Sequence, residues 1–213
     1  MQIIIFDMDG TLINSGADIT TSVNFVREQV YRLPPVSIAY VTEAINRDQR
    51  NLAMLFYETP LYEKKAQQIF EDHYHEQCVQ TVRLYDGIDA LLNTLAERNS
   101  ILAVATNAPT SFARRMLDRL AITDAFTHII GGGDVQNPKP DPEMVHTILD
   151  DHNYDRQHDF ALMVGDSDKD MEAGRRAGIA SAFVTWGFTP KGNGDYICEQ
   201  PEDILTILDT GRL

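Results

Sequence analysis

In Ile3-Ile4-Ile5-Phe6-Asp7-Met8-Asp9-Gly10-Thr11, four apolar residues run without a polar break into two carboxylates and a glycine. A run so short and so continuously apolar reads as a strand buried on both faces, the habit of parallel sheets. Four further runs have the same character: Ile101–Ala105, His128–Ile130, residues 160–164 and Ala180–Val184. Helical patterns lie between them. Residues 88–98 place Ile88, Leu91, Leu92 and Leu95 on one face, and 111–120 do so with Phe112, Met116, Leu117 and Leu120. Residues 142–149 open with Pro142, a favoured first helical residue. The alternation predicts an α/β fold, a Rossmann-like doubly wound parallel sheet with right-handed crossovers.

One stretch interrupts the alternation. No strand candidate appears between about Ser15 and Arg83. Ser15 and Asp18 suggest a capping box, opening a helix that runs to Arg32 before Pro34-Pro35 stops it. Residues 37–46, 50–57 and 61–82 read as three more helices. The expected division is an α/β core of residues 1–14 and 84–213 with an inserted all-α helical lobe, 15–83. The hinges fall near residues 12–16 and 82–87.

Composition narrows the function classes. The 213 residues carry 18 Lys and Arg against 32 Asp and Glu, a formal net charge of −14. With a pI near 4.7, nucleic acid and anionic membrane surfaces are not expected as partners, because phosphate backbones call for clustered Lys and Arg. Cys78 and Cys198 are too few for a disulfide framework or a thiolate metal site. The longest apolar runs fall far short of a membrane span of about 20 residues. Met1-Gln2 leads directly into an apolar run with no basic stretch ahead of it, so a cytoplasmic protein without a signal peptide is expected.

Open parallel sheets bind ligands beyond the carboxyl ends of their strands. The residues at those ends are Asp7 and Asp9, Thr106 and Asn107, the loop 131–141 with Lys139, and Asp166, Asp168 and Asp170. Five carboxylates on one rim repel one another unless a cation joins them, and all-oxygen ligands select a hard one, Mg²⁺. Asp7 and Asp9, two residues apart past a strand end, can divide nucleophilic and proton-transfer work. The same five residues, Asp7 to Thr11, also suit a plain strand exit through an Asp-Gly turn.

The four segments together resemble, in order, the four motifs of the haloacid dehalogenase superfamily. Asp7-Met8-Asp9-Gly10-Thr11 is similar to the first, Thr106-Asn107 to the second and Lys139 in Asn137-Pro138-Lys139-Pro140-Asp141-Pro142 to the third. Gly165-Asp166-Ser167-Asp168-Lys169-Asp170, continued by Met171-Glu172-Ala173-Gly174, is similar to the fourth. Tyr85-Asp86-Gly87 and Gly131-Gly132-Gly133-Asp134 look like the phosphoglycolate phosphatase-like branch, whose cap is helical. The resemblance implies a phosphatase acting on a small-molecule phosphate. Asp7 would form an aspartyl-phosphate, and Asp9 would protonate the leaving oxygen and then activate water. Thr106, Asn107 and Lys139 would bind the phosphoryl group. Mg²⁺ would sit on Asp7, the Asp9 carbonyl and Asp166, with Asp170 as a ligand or beside one. Family dehalogenases lack an acid two residues after the nucleophile, so Asp9 points to phosphate chemistry.

Phosphoglycolate is the expected substrate. A sugar phosphomutase, a pyrophosphatase or nucleotidase, and a non-catalytic binding protein are the alternatives on the same core. No Gly-rich specificity loop is recognisable in the cap, but Arg47 and Arg50 stand together between two cap helices and would suit an anionic end of the substrate. Three features have blander readings. Asp168 would cap the following helix, Gly174 and Gly178 would let that helix lie close to the sheet, and His73, His75 and Cys78 lack a fourth zinc ligand.

Overall fold

The computed structural model describes residues 1–47 and 51–210. Along the chain run β1 (Gln2–Phe6), β2 (Ile13–Asn14), α1 (Gly16–Val26), α2 (Ile38–Asn46), α3 (Leu52–Tyr57), α4 (Lys64–Gln77) and β3 (Arg83–Leu84). There follow α5 (Ile88–Glu97), β4 (Ile101–Ala105), α6 (Thr110–Arg119), β5 (His128–Ile130), α7 (Glu143–Asp151) and β6 (Phe160–Gly165). The chain continues through α8 (Asp168–Ala177), β7 (Ala180–Val184), β8 (Tyr196–Cys198) and α9 (Glu202–Thr210).

Six strands form one parallel sheet in the order β5-β4-β1-β6-β7-β8. From β1 the chain winds outward through β4 and β5, then crosses back to β6 and winds the other way. The reversal occurs at β1, so a crevice opens beyond its carboxyl end, at Asp7. Alternate residues of β1 serve opposite faces, as the two-residue strand period requires. Ile4 and Phe6 pack with Leu102, Val104 and Leu162 under α5 and α6, whereas Ile3 and Ile5 pack with Ala103, Met163 and Ile148 on the α7 side. All four are inaccessible to solvent, and each contributes about 1.5–3 kcal/mol relative to exposure.

The helical segment after β2 has a separate apolar cluster of Val23, Val26, Val41, Ala44, Phe56, Tyr57 and Ala66. Its entry and exit are tied together, since β2 pairs antiparallel with β3, Ile13 opposite Leu84. That two-residue ribbon is too short to announce itself in the sequence.

Several local expectations change. Ser15 does not cap α1, because its hydroxyl donates to the Asp9 carboxylate instead. The helix carries on through a π-helical turn, Arg27–Tyr31, and Arg32 at φ 56° ends it ahead of Pro34. Helix α4 stops at Gln77 rather than 82, where the buried Asp18 carboxylate accepts from Gln77 Nε2 at 2.7 Å and from the Thr81 amide at 3.2 Å. Asn51, not residue 50, caps α3, accepting from the Met54 amide at 3.1 Å, and Arg50 lies outside the described residues. Ser167, not Asp168, precedes the first turn of α8, where Asp168 is exposed. Gly174 does sit against the sheet, within 3.0 Å of Met163 Cβ for an added Cβ, but Gly178 is the left-handed terminus of α8. β8 and α9 extend the sheet and its cover beyond the last run identified above. Among the described residues, no helix is long and apolar enough to cross a membrane.

Candidate active site

The exit from β1 is a tight turn. The Asp7 amide still bonds to β6 through the Val164 carbonyl at 2.8 Å, and the Met8 carbonyl then accepts from the amides of Leu12 and Ile13, both at 3.0 Å. Gly10 sits at φ +89°, and a Cβ there would lie 2.3 Å from Asp166 Oδ2. Glycine is therefore required both for the backbone and for the approach of the first and fourth segments.

Lys139 joins the carboxylates. Its Nζ lies 2.6 Å from Asp7 Oδ1 and 2.5 Å from Asp170 Oδ1, and all three residues are buried. Asp170 is held in turn by the Ser167 amide and hydroxyl, which donate to its Oδ2 at 3.1 and 2.6 Å. Thr106, at the end of β4, is 1% exposed, and its hydroxyl oxygen accepts from the Ala108 amide at 3.2 Å. Asn107 Nδ2 donates to the Lys139 carbonyl at 2.8 Å, tying the loop after β4 to the loop after β5.

Asp7, Asp166 and Asp170 present carboxylate oxygens within 4.8 Å of one another. Asp166 Oδ2 accepts from the Phe188 amide at 2.6 Å and from Asn46 Nδ2 at 3.0 Å, but its Oδ1 is buried with no hydrogen-bond partner among the described residues. A buried carboxylate oxygen left bare is costly unless a cation meets it. One ammonium against three carboxylates leaves two negative charges when all are ionised, which matches a divalent cation. The donor set fits Mg²⁺, a hard ion that takes oxygen ligands.

The electrostatics follow from burial. Desolvation pushes the Asp7 carboxyl well above its ordinary range; Lys139 opposes this, and the charges of Asp170 and Asp166 add to it. Asp166 rises to about 7 through burial and the neighbouring Asp170. Burial also pushes Asp9 up to about 6, while the Ser15 hydrogen bond and the Lys139 charge hold it down. For Lys139, burial favours the neutral amine, yet the charges and hydrogen bonds of Asp170 and Asp7 outweigh it and raise the pKa.

A cavity of about 760 Å³ opens over these groups between the sheet rim and the helical lobe. Asp7, Asp9, Thr106, Asn107, Lys139 and Asp170 line its floor, and Phe56, Tyr57, Phe70, Tyr74 and Phe112 supply much of its wall. Arg47 lies elsewhere, exposed and paired with Glu43 at 2.8 Å, and is not part of the lining. His73 bonds to Ser22 at 2.9 Å and stacks on Phe25, while His75 pairs with Glu76, so these imidazoles are engaged separately. Ser15, expected only as a helix cap, and Asn46 and the loop 186–189 after β7 join the site without having been expected there. The rule about strand ends, applied to β7, would have found the last.

The haloacid dehalogenase-like hydrolase family matches residues 4–184. The chain is 30% identical over 219 residues to the N-acetylmuramic acid 6-phosphate phosphatase of Pseudomonas aeruginosa, covering 98% of this chain and 95% of that protein. It is also 30% identical over 211 residues to the phosphoglycolate phosphatase of Aquifex aeolicus, covering 98% and 97%. A crystal structure from Haemophilus somnus, named as a predicted phosphoglycolate phosphatase, superposes with a TM-score of 0.86 at 28% identity, covering 97% of each chain.

Proposed function

Because the chain belongs to the haloacid dehalogenase-like hydrolases and is a phosphatase, we propose that it cleaves a small-molecule phosphate monoester through an aspartyl-phosphate on Asp7. Asp7 attacks phosphorus, and the P–O bond to the alcohol breaks as the leaving oxygen takes the proton carried by Asp9. Asp9, now ionised, removes a proton from the water that attacks the acyl phosphate, which releases phosphate and restores Asp7. Thr106 Oγ1 and the Asn107 amide hold the phosphoryl oxygens, and Lys139 offsets their charge. Mg²⁺ bound by Asp7, Asp166 and the Asp9 carbonyl, with Asp170 alongside, would supply the positive charge that lets a phosphate dianion approach so many carboxylates. The same reading takes residues 15–83 as the cap, supported by their separate apolar cluster, and residues 1–14 and 84–213 as the core.

Asp9 carries this reading. With a pKa near 6 it changes protonation state close to neutrality, as a group that first gives and then takes a proton requires. Ser15 stabilises its ionised form, so Ser15→Ala raises the Asp9 pKa and keeps the general acid protonated to higher pH. The alkaline limb of kcat/KM is then expected to move up by about one unit, the worth of a hydrogen bond to a charged group. A pH–rate profile identical to wild type would remove Asp9 from the role.

Phosphoglycolate leads as the substrate, supported by the motifs and by the name of the Aquifex relative. The cavity favours a second reading, a bulkier sugar phosphate, since its aromatic wall leaves space well beyond a glycolate. The test is phosphate release with Mg²⁺ across phosphoglycolate, amino-sugar and hexose phosphates, pyrophosphate and nucleotides. One preferred ester, turned over without a bisphosphate primer, is expected. Turnover only in the presence of a bisphosphate, without phosphate release, would mean a mutase. Release from none would overturn the hydrolase reading.

A further inference from the structure

The last residue of α2 reaches across from the helical lobe to a carboxylate of the sheet rim. Asn46 Nδ2 lies 3.0 Å from Asp166 Oδ2 and 2.8 Å from Thr189 Oγ1, so its amide N–H groups span the loop after β6 and the loop after β7. The residue before it is held as well, since the Ile45 carbonyl accepts from Lys169 Nζ at 2.8 Å. Below, Gly187 presses against the rim so tightly that a Cβ would come within 2.4 Å of Asp166 Cβ, and the Phe188 amide donates to the same Oδ2. Asp166 Oδ2 is thus gripped from both lobes, by Asn46 from α2 and by Phe188 from the loop after β7, while Oδ1 is buried without a hydrogen-bond partner among the described residues.

We infer that Asn46 is a positioning residue by which cap closure orients the Asp166 carboxylate, holding Oδ2 and reserving Oδ1 for the divalent cation. A carboxylate held only by backbone amides of the loop after β7, Phe188 and Thr189, is gripped from one side and can still turn about its side-chain bond; the donor from α2 fixes its plane. Closure of the cap and cation binding then favour each other, and the coupling is reciprocal by thermodynamic necessity. The empty site would leave the cap freer, and the loaded site would draw it over the cavity.

The inference rests on the cation reading, and one set of measurements separates the two. Binding of Mn²⁺ to the full chain is followed by the loss of the free-ion electron paramagnetic resonance signal, without substrate. The proteins are wild type, Asn46→Ala and Ser37→Ala. Ser37 caps the far end of α2, accepting from the Tyr40 amide at 3.2 Å, and touches no site residue, so it reports on mere loosening of that helix. Asn46→Ala is expected to weaken Mn²⁺ binding about tenfold, within the range for partners that orient metal ligands, while Ser37→Ala binds as wild type does. Hydrogen exchange supplies the reciprocal readout. Mn²⁺ should slow exchange across Ile38–Asn46 in wild type and Ser37→Ala but not in Asn46→Ala. Equal affinity of wild type and Asn46→Ala, or equal weakening in both variants, overturns the role of Asn46 alone. Failure of wild type to bind Mn²⁺ overturns the cation reading and this inference with it.

Discussion

Asp7→Asn is expected to lower phosphate release by about 10⁴-fold or more, the scale seen when an attacking residue is removed, while leaving the fold intact or firmer. The amide has the shape of the carboxylate but neither its charge nor its nucleophilicity. Lys139 retains Asp170 at 2.5 Å, so its ammonium is not orphaned. The stability side has a definite sign. Burial raises the Asp7 pKa in the folded chain, so the ionised form costs folding free energy. That cost is absent below the unfolded pKa and grows as pH rises through the folded one. In the absence of divalent cations, Asp7→Asn should therefore melt at or above the wild-type temperature at pH 8, and the difference should vanish in acid. Retained activity would remove Asp7 as nucleophile. A lower melting temperature at pH 8 would show that its charge is better compensated than the geometry implies.

Lys139→Met should have the opposite effect on stability. Methionine keeps much of the apolar stem and removes the ammonium shared by Asp7 and Asp170, two buried carboxylates that are left without it. Taking one partner from a buried ion pair costs about 3–5 kcal/mol, and the lost charge stabilisation should lower kcat about 10²–10³-fold. Without the ammonium, which holds it down, the Asp7 carboxyl rises further, so the loss is greatest at high pH and shrinks as acid protonates it. Urea unfolding at pH 8 and pH 5, with and without Mg²⁺, measures this directly. Mg²⁺ should restore part of the deficit at pH 8, because binding to the folded state alone stabilises it. A variant as stable as wild type at pH 8 without Mg²⁺ would contradict the pairing.

Much of this architecture is legible because a parallel sheet writes itself plainly. Ile3 to Phe6 must be apolar on both faces, and the polar residues that follow mark the rim; the same grammar exposes Thr106, Lys139 and Asp166. What escaped has physical reasons. Tyr196–Cys198 is a three-residue edge strand with Ile197 half exposed, too short for a pattern. Helix α9 did carry a signal, since Ile204, Ile207 and Leu208 fall on one buried face. Ser15 has the right identity for a cap, but a carboxylate six residues back in the chain competes for its hydroxyl, and local rules do not see that partner. Asn46 meets Asp166 across 120 residues of sequence, through the docking of one lobe on the other. Contacts of that kind depend on tertiary packing and leave no spacing to read.

The most direct test of the account uses Asp9→Asn and p-nitrophenyl phosphate with Mg²⁺. The phenolate departs without needing a proton, so the variant can be phosphorylated, but it lacks the base that activates water for the second step. A rapid burst of about one p-nitrophenolate per chain is expected, followed by a stall. Mass spectrometry of the quenched protein should then place one phosphoryl group on the peptide containing Asp7. Continued release at the wild-type rate with no phosphorylated peptide, or a phosphoryl group on any other residue, would contradict the aspartyl-phosphate and the roles given to both carboxylates.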